Sequence, residues 1–402
     1  MWPVESACLY RSLEYIVSLT TMALRARLDS VDILRGLVMV IMALDHTRDF
    51  FSNYAGDPVD LAKVSAGIFL TRWITHFCAP VFVFLAGTGV FLSNKPKPEL
   101  TRFLITRGIW LVFLELTVVR FNVCFNLDYQ FNFGQVIWVL GWSMICLAAL
   151  IRLPVRIVGA VGVVIIACHN LLDPIRSQSW GQWSWLWIFL HEPNVLRFDS
   201  GAIFFMAYSF LPWMGVMAAG YAFGALLRRE DRVQVLTKIG LAAMALFVII
   251  RAVNVYGNPT PWLHKPDLLF TFLSFLNCQK YPPSLLYLLM TLGPAILLLA
   301  LIDKFHGGPL VVFGRVPMFY YLIHFPLIHL CAVIAAWFRH GRFDFLLNFP
   351  PAVPPDKFPA GYGYGLPIVY LIWIAVVISL YFPCRWFADL KRRRNDWWLS
   401  YL

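Results

Sequence analysis

The chain has 402 residues, of which 60% are hydrophobic and 14% are charged, and its formal net charge is +11. A soluble domain of this length is not so apolar, so a soluble fold is excluded. Because long apolar runs recur along the chain, we expect an all-α, polytopic transmembrane helical bundle. The positive charge alone would suit nucleic-acid binding, but its distribution argues for a membrane protein.

Ten apolar runs approach the length of a membrane-spanning helix. They lie near residues 33–52, 69–92, 102–120, 135–151, 155–172, 203–227, 234–254, 283–302, 316–337 and 365–386. An even number of spans places both termini on one side, and the basic clusters of alternate loops fall on that side. The positive-inside rule makes that side cytoplasmic, so no nucleic-acid partner is expected.

The chain divides into three predicted parts. These are a cytoplasmic or interfacial extension (residues 1–26), a transmembrane domain (residues 27–390) and a basic cytoplasmic tail (residues 391–402).

The first span, RLDSVDILRGLVMVIMALDHTRDFF, carries charged clusters at both ends of an apolar run. Arg35 and His46 are eleven residues apart, so in a helix they share one face about 16 Å apart along the axis. Ionisable groups at membrane depth are costly and point to function. The simpler alternative is that both side chains reach opposite interfaces or pair with neighbours.

Seven ionisable side chains from the first three spans are expected at one depth near the outer leaflet. They are Asp45, His46, Arg48, Arg72, His76, Glu115 and Arg120. A polar site at that level would need such a convergence, although depth alone does not show which helices touch.

No metal site is expected. His324 and His329 are five residues apart in the ninth span and therefore do not share a helix face, so at most one of them lines a central cavity. His169 and His191 are expected to be satisfied interior histidines. The eight cysteines lack paired spacing, and no HExxH, GxSxG, P-loop or Rossmann glycine pattern is present.

Two outer loops are unusual. SWGQWSWLWIFLHEPN holds four tryptophans in eight positions, which favours an amphipathic helix in the membrane interface over an aromatic platform beside a sugar. The segment 339–365 is rich in Pro, Gly and Tyr and is expected to form an ordered loop or lid.

Several blocks resemble one family, in the same order along residues 25–390. Besides the first span they are LTRWITHFCAPVFVFLAGTGVFLS, ELTVVRFN, QVIWVLGWSMICLAAL, KYPPSLLYLLMTLGPAILLLALID and FGRVPMFYYLIHFPLIH. They are similar to the bacterial membrane proteins grouped with the catalytic domain of heparan-α-glucosaminide N-acetyltransferase. The resemblance implies a membrane acyltransferase of the bacterial cytoplasmic membrane. Its donor would be cytoplasmic acetyl-CoA or another acyl-CoA, and its acceptor an amine or hydroxyl, as in a sugar, at the outer face.

The chain departs from this family at one point. In the lysosomal branch the reactive histidine lies in the first lumenal loop, whereas residues 47–62 contain no histidine here. His46 is the local candidate, and both a covalent acyl-histidine and direct transfer stay open.

The expected roles follow from charge and proton transfer. His46 suits a general base because its ordinary pKa is near neutrality, with Asp45, Asp49 or Glu115 as its orienting carboxylate. Arg35, with Asp32 beside it, is expected to bind CoA phosphate. Arg120 or His76 is expected to stabilise the oxyanion. Arg48, Arg72 and His324 complete the predicted substrate-binding set.

Two other classes of protein stay open. A transporter or flippase could use the same buried charges, although no inverted repeat is evident. A membrane scaffold could use them to hold helices together. The expected partners are membrane lipid, acyl-CoA and a small acceptor, and a homodimer is left open.

Overall fold

The computed structural model describes residues 28–402 except 55, 94, 349–352, 354 and 395. The extension predicted for residues 1–26 lies outside this described part. The tail predicted from residue 391 begins inside a helix that ends at Arg393. Beyond it, Arg107 donates to the carbonyl of Ser400, so the end of the chain folds back onto an earlier helix.

The predicted all-α fold is confirmed. The helices are α1 (Asp29–Phe51), α2 (Ala66–Thr75), α3 (Cys78–Leu92), α4 (Lys97–Leu114), α5 (Arg120–Cys124), α6 (Val136–Leu150), α7 (Val155–Cys168), α8 (Ser184–Leu190), α9 (Phe210–Phe223), α10 (Arg232–Val253), α11 (Leu268–Leu276), α12 (Leu285–Leu301), α13 (Pro309–Arg315), α14 (Pro317–His340) and α15 (Leu366–Arg393). One turn of π-helix, Glu115–Val119, joins α4 to α5.

A small sheet lies between the helices. Its strands are β1 (Phe131–Gly134), β2 (Asn194–Arg197) and β3 (Ile203–Met206). The strand order is β1-β3-β2, with β3 parallel to β1 and antiparallel to β2. The sheet therefore ties the loop after α5 to the long connection between α8 and α9.

Six helical segments of the described chain are long and apolar enough to cross a membrane. They are Ala66–Leu92, Val155–Leu172, Phe210–Arg228, Arg232–Val253, Pro317–His340 and Leu366–Arg393. Helices α6 and α12 are apolar but shorter. Each of the ten predicted runs overlaps a helix. The count of ten spans and the side of each terminus stay predictions.

The tryptophan-rich loop is partly helical, as expected. A 3₁₀ segment, Ser177–Trp183, leads into α8. Trp183 and Trp185 are exposed, whereas Trp187 is buried. The helix is therefore confirmed, and its position in the membrane interface stays a prediction.

Helix α1 lies among several others and packs against α3, α13, α14 and α15. Its approach to α13 is so close that a Cβ at Gly36 would overlap the carbonyl of Leu310. A Cβ at Gly314 would likewise overlap the carbonyl of Asp32. Small residues permit such backbone contact between membrane helices. The first half of α1 is thus fixed against α13.

Helices α3 and α9 form a second close pair, which gives a matched test of the packing. A Cβ at Gly87 would overlap the carbonyl of Met217, whereas one at Gly89 would meet only the Arg35 Nη2 atom at 3.8 Å. Gly87→Ala is therefore expected to lower the free energy of unfolding by about 1–3 kcal/mol, measured as a lower midpoint of thermal unfolding in detergent. Gly89→Ala should leave the midpoint unchanged. Equal midpoints for the two variants would contradict this packing.

Candidate active site

The last two turns of α1 bring a cluster of charges together. Arg48 Nη2 lies 2.9 Å from Asp45 Oδ1 and 2.7 Å from Asp49 Oδ1. The first contact follows from helical geometry, because residues three apart face each other, and the long guanidinium of Arg48 also reaches the adjacent Asp49. From the last turn of α2, Arg72 also pairs with Asp45.

We call Asp45, Arg48, Asp49 and Arg72 the ion cluster. Asp45 and Arg48 are buried. Two arginines and two aspartates balance in charge, which is what burial of ionised groups requires. The cluster therefore holds the end of α1 against α2 without leaving an uncompensated charge.

His46 lies beside the ion cluster without belonging to it. Its Nδ1 atom is 3.8 Å from Asp49 Oδ2, and its ring centroid is 4.0 Å from that of Phe325. Nδ1 has no hydrogen-bond partner in the described part of the chain. A distance of 3.8 Å is too long for a hydrogen bond, but catalytic hydrogen bonds often tighten only when substrate binds. Asp49 is therefore a better candidate than Asp45 for the carboxylate that orients the His46 ring, because the Asp45 carboxylate is paired with two arginines.

A cavity of about 1060 Å³ opens beside these groups. Its wall includes α1, residues 52–54 and 56–62, the adjoining ends of α2 and α3, and residues from 205–208, 251–281 and 358–362. This volume is enough for a sizeable ligand. Along α1 the wall runs from Asp49 down to Val38. The cavity is thus polar near His46 and apolar further along the helix, where Met39 and Met42 line it.

Five of the seven residues expected at one depth line this cavity: Asp45, His46, Arg48, Arg72 and His76. The carbonyl of His76 accepts a hydrogen bond of 2.7 Å from the Tyr287 hydroxyl. Its Nδ1 atom has no partner among the described residues. His76 is therefore placed by its backbone, with its ring at the cavity.

Glu115 and Arg120 are buried but do not line the described cavity wall. The Glu115 carboxylate accepts the backbone N–H of Gln135 at 2.9 Å, at the start of α6. A carboxylate at a helix N-terminus is favoured there by the unpaired amides and the helix dipole. In this structure Glu115 therefore caps α6.

Arg120 is held by the loop that follows α5. It donates from Nε to the carbonyl of Phe131 at 3.1 Å and from Nη2 to Asp128 at 3.0 Å, and it lies over the Tyr129 ring. The structure thus places this guanidinium away from the position expected for an oxyanion donor.

His324 is fully buried behind His46. Its Nδ1 atom lies 2.7 Å from the carbonyl of Tyr321, and its ring centroid is 5.2 Å from that of His46. Tyr321 lines the cavity and His324 does not, within the described wall. His324 therefore supports the His46 side of the cavity from behind rather than meeting a ligand there.

The predicted donor-binding pair lies at the opposite end of α1. Arg35 donates to Asp32 Oδ1 at 3.0 Å and to the carbonyl of Gly314 at 3.2 Å. Arg315 Nη2 is 3.3 Å from Asp29 Oδ1, so this end carries a second group of paired charges. Arg35 precedes Val38 by three residues, which is about 4.5 Å of helix rise.

Part of the polar wall does not follow from the sequence pattern. Lys280 lies 5.1 Å from the Tyr281 ring centroid and 5.9 Å from that of Tyr208, and all three line the cavity. Partial desolvation tends to raise the pKa of Tyr281, but the positive charges of Lys280 and Arg72 outweigh this effect and hold the pKa below its usual value. Lys280 and Tyr281 belong to the block KYPPSLLY, but they precede the predicted span, so the sequence did not indicate their depth in the membrane.

Comparison with known families matches one family model, described as heparan-alpha-glucosaminide N-acetyltransferase, catalytic, over residues 27–260. This is more than half of the chain. It includes α1 to α10, and therefore the ion cluster, His46 and His76, but not Lys280. No curated protein matches the chain. The chain belongs to the heparan-alpha-glucosaminide N-acetyltransferase catalytic family, as an integral membrane protein with an acetyltransferase-like function.

Proposed function

We propose that this protein transfers an acetyl group from cytoplasmic acetyl-CoA to an amine or hydroxyl of a sugar acceptor at the outer face of a bacterial cytoplasmic membrane. The observation that carries the proposal is the position of His46, on the wall of a large cavity that also runs along α1 toward Arg35. Helix α1 thus carries the proposed base, His46, and also one wall of the cavity through which the acyl-CoA would reach it.

The donor side is supported by the shape of the cavity. Val38, Met39 and Met42 form an apolar wall on α1, which suits the uncharged pantetheine arm of CoA. One turn beyond this wall, Arg35 offers a guanidinium, the group best suited to phosphate. Because Asp32 and the Gly314 carbonyl already fix that guanidinium, it is pre-oriented, and a phosphate would share it with Asp32.

The acceptor side is supported by the polar wall. Asp57, Asp60, Asn258, Gln279 and Lys280 line the same cavity as His46. Carboxylates, amides and an ammonium together offer both donors and acceptors. A sugar presents hydroxyl groups in several directions, so this wall suits it better than it suits an apolar acceptor.

The chemistry assigned to the site is direct transfer. The acceptor amine or hydroxyl attacks the thioester carbonyl, and His46 takes the proton that the acceptor loses. A new C–N or C–O bond forms as the C–S bond breaks, and the CoA thiolate leaves and takes up the proton from His46. Asp49 would stabilise the imidazolium in between, because its carboxylate is the one nearest to Nδ1.

A covalent route uses the same residue as a nucleophile. His46 would first form an acylimidazole with release of CoA, and the acceptor would then displace the imidazole. The two routes differ in whether label from acetyl-CoA remains on the protein without acceptor. Both need His46 at the cavity.

Replacing His46 by Gln is expected to reduce acetyl transfer by about 10²–10⁴-fold, because the general base is lost. Purified protein in detergent is incubated with acetyl-labelled acetyl-CoA and a panel of amino sugars, and labelled sugar and free CoA are measured. The matched control is His306→Gln, at an exposed histidine. Unchanged transfer by the His46 variant would contradict the assignment. If neither CoA release nor labelled sugar appears in the wild type with any acyl-CoA, the proposed function fails, and a transport assay becomes the test of the alternative.

Replacing Arg35 by Gln is expected to raise KM for acetyl-CoA by roughly 10–100-fold, the loss typical of one charged hydrogen bond. The turnover number should change much less, because Arg35 lies far from His46. Arg35→Lys should recover part of the affinity. The control is Arg102→Gln on the exposed surface of α4. A normal KM in a folded Arg35→Gln variant, with its thermal midpoint measured in parallel, would rule out the phosphate-binding role.

A further inference from the structure

Two histidines and an aspartate meet at a place that the acetyl-transfer site does not use. His169 follows directly after α7, Asp173 follows one turn later, and His191 follows directly after α8. One ligand atom from each residue lies within 4.8 Å of the other two. None of the three lines the cavity in the described part of the chain.

The geometry within this cluster is close to that of a metal site. His191 Nε2 is 2.9 Å from Asp173 Oδ1, and the His169 and His191 ring centroids are 5.6 Å apart. Zinc bonds of about 2.0–2.2 Å in a tetrahedron set ligand atoms roughly 3.4 Å apart. This separation is longer than the 2.9 Å contact and lies within the 4.8 Å that encloses the three ligand atoms, so small side-chain rotations would bring all three onto one ion.

The ring nitrogens of His169 lack hydrogen-bond partners, within the described chain, that would explain their burial. It is buried, yet neither ring nitrogen has a partner with hydrogen-bond geometry among the described residues. Besides Asp173 and His191, the backbone carbonyl of Pro283 lies near its ring. Buried polar atoms are nearly always satisfied, so an orphaned imidazole beside a histidine–aspartate pair calls for a missing partner. An ion bound by one ring nitrogen would leave the other to face the Pro283 carbonyl, a common arrangement for metal-bound histidines.

The aspartate is oriented by a neighbour, as metal ligands commonly are. Asn170 donates from Nδ2 to Asp173 Oδ2 at 2.9 Å and accepts the backbone N–H of Leu285 with its own oxygen at 2.8 Å. Asp173 Oδ1 is thus directed toward His191, and the whole group is anchored to the start of α12. Such outer contacts hold ligands in place before the ion binds.

We propose that His169, Asp173 and His191 bind a divalent transition metal, zinc foremost, with water in the fourth position. Imidazole and carboxylate are ligands that zinc accepts. The ion ties the end of α7 to the end of α8 and so fixes the tryptophan-rich loop. The role is structural, and the proposal does not depend on acetyl transfer. It also revises the expectation, drawn from the residues alone, that the chain holds no metal and that these two histidines are satisfied without one.

The test measures metal on the purified full chain in detergent, without any activity assay. Protein prepared without chelator is analysed for bound zinc. It is then stripped and titrated with zinc, followed by thermal unfolding, and with cobalt, followed by visible absorption. The variants are Asp173→Asn and His169→Gln, and His306→Gln is the control. His306 is an exposed histidine outside the cluster.

The proposal expects about one zinc per wild-type chain, a higher thermal midpoint after zinc addition, and an intense absorption of tetrahedral cobalt. Both cluster variants should lose these signals, with zinc affinity reduced by more than about tenfold, while the control keeps them. Stripped wild type that is still folded but binds neither zinc nor cobalt overturns the proposal. Equal metal binding by Asp173→Asn, His169→Gln and the wild type does so as well. If the variants do not fold, the wild-type titrations decide.

Discussion

The buried carboxylate of Asp45 is the constraint on which the site depends. Burying this charge is costly unless cations meet it, and Arg48 from its own helix and Arg72 from α2 both do so. Since Arg72 comes from another element, the pairing fixes α2 against the last turns of α1. His46 is then left beside the ion cluster rather than within it, with its ring against Phe325. The imidazole is therefore held in position while staying available to a ligand.

The position of the ion cluster could be predicted because it follows from chain geometry. Helical periodicity places Asp45, Arg48 and Asp49 within about one turn, and the predicted alternation of spans leads one to expect Arg72 and His76 at the same level. The all-α fold followed from the recurrence of apolar runs alone. These features are local or depend only on depth, whereas the contact between Arg72 and Asp45 is a tertiary one that the structure supplies.

The rest of the site depends on which faces meet, and depth does not determine that. Glu115 and Arg120 lie beside the start of α6 and the loop after α5, where Glu115 accepts from a backbone amide and Arg120 donates to a backbone carbonyl. Lys280 reaches the cavity from a connection between helices, which has no periodic pattern. His169 and His191 are twenty-two positions apart, and the chain between them includes the 3₁₀ segment and α8, so their meeting depends on how that connection packs. An interior histidine can be satisfied by carbonyls, as His329 is by those of Asn122 and Leu346. Only the structure distinguishes that case from His169.

Helix α1 connects the proposed donor-binding residue and the proposed base. It carries Arg35 near one end and His46 near the other, with the apolar cavity wall between them. The most direct test is a structure of the full chain with a non-reactive acetyl-CoA analogue. We expect the acetyl carbonyl to lie within roughly 3–4 Å of His46, or one water away, and a phosphate to lie at Arg35. An analogue bound outside the cavity, or one whose acetyl group lies far from His46, would contradict it.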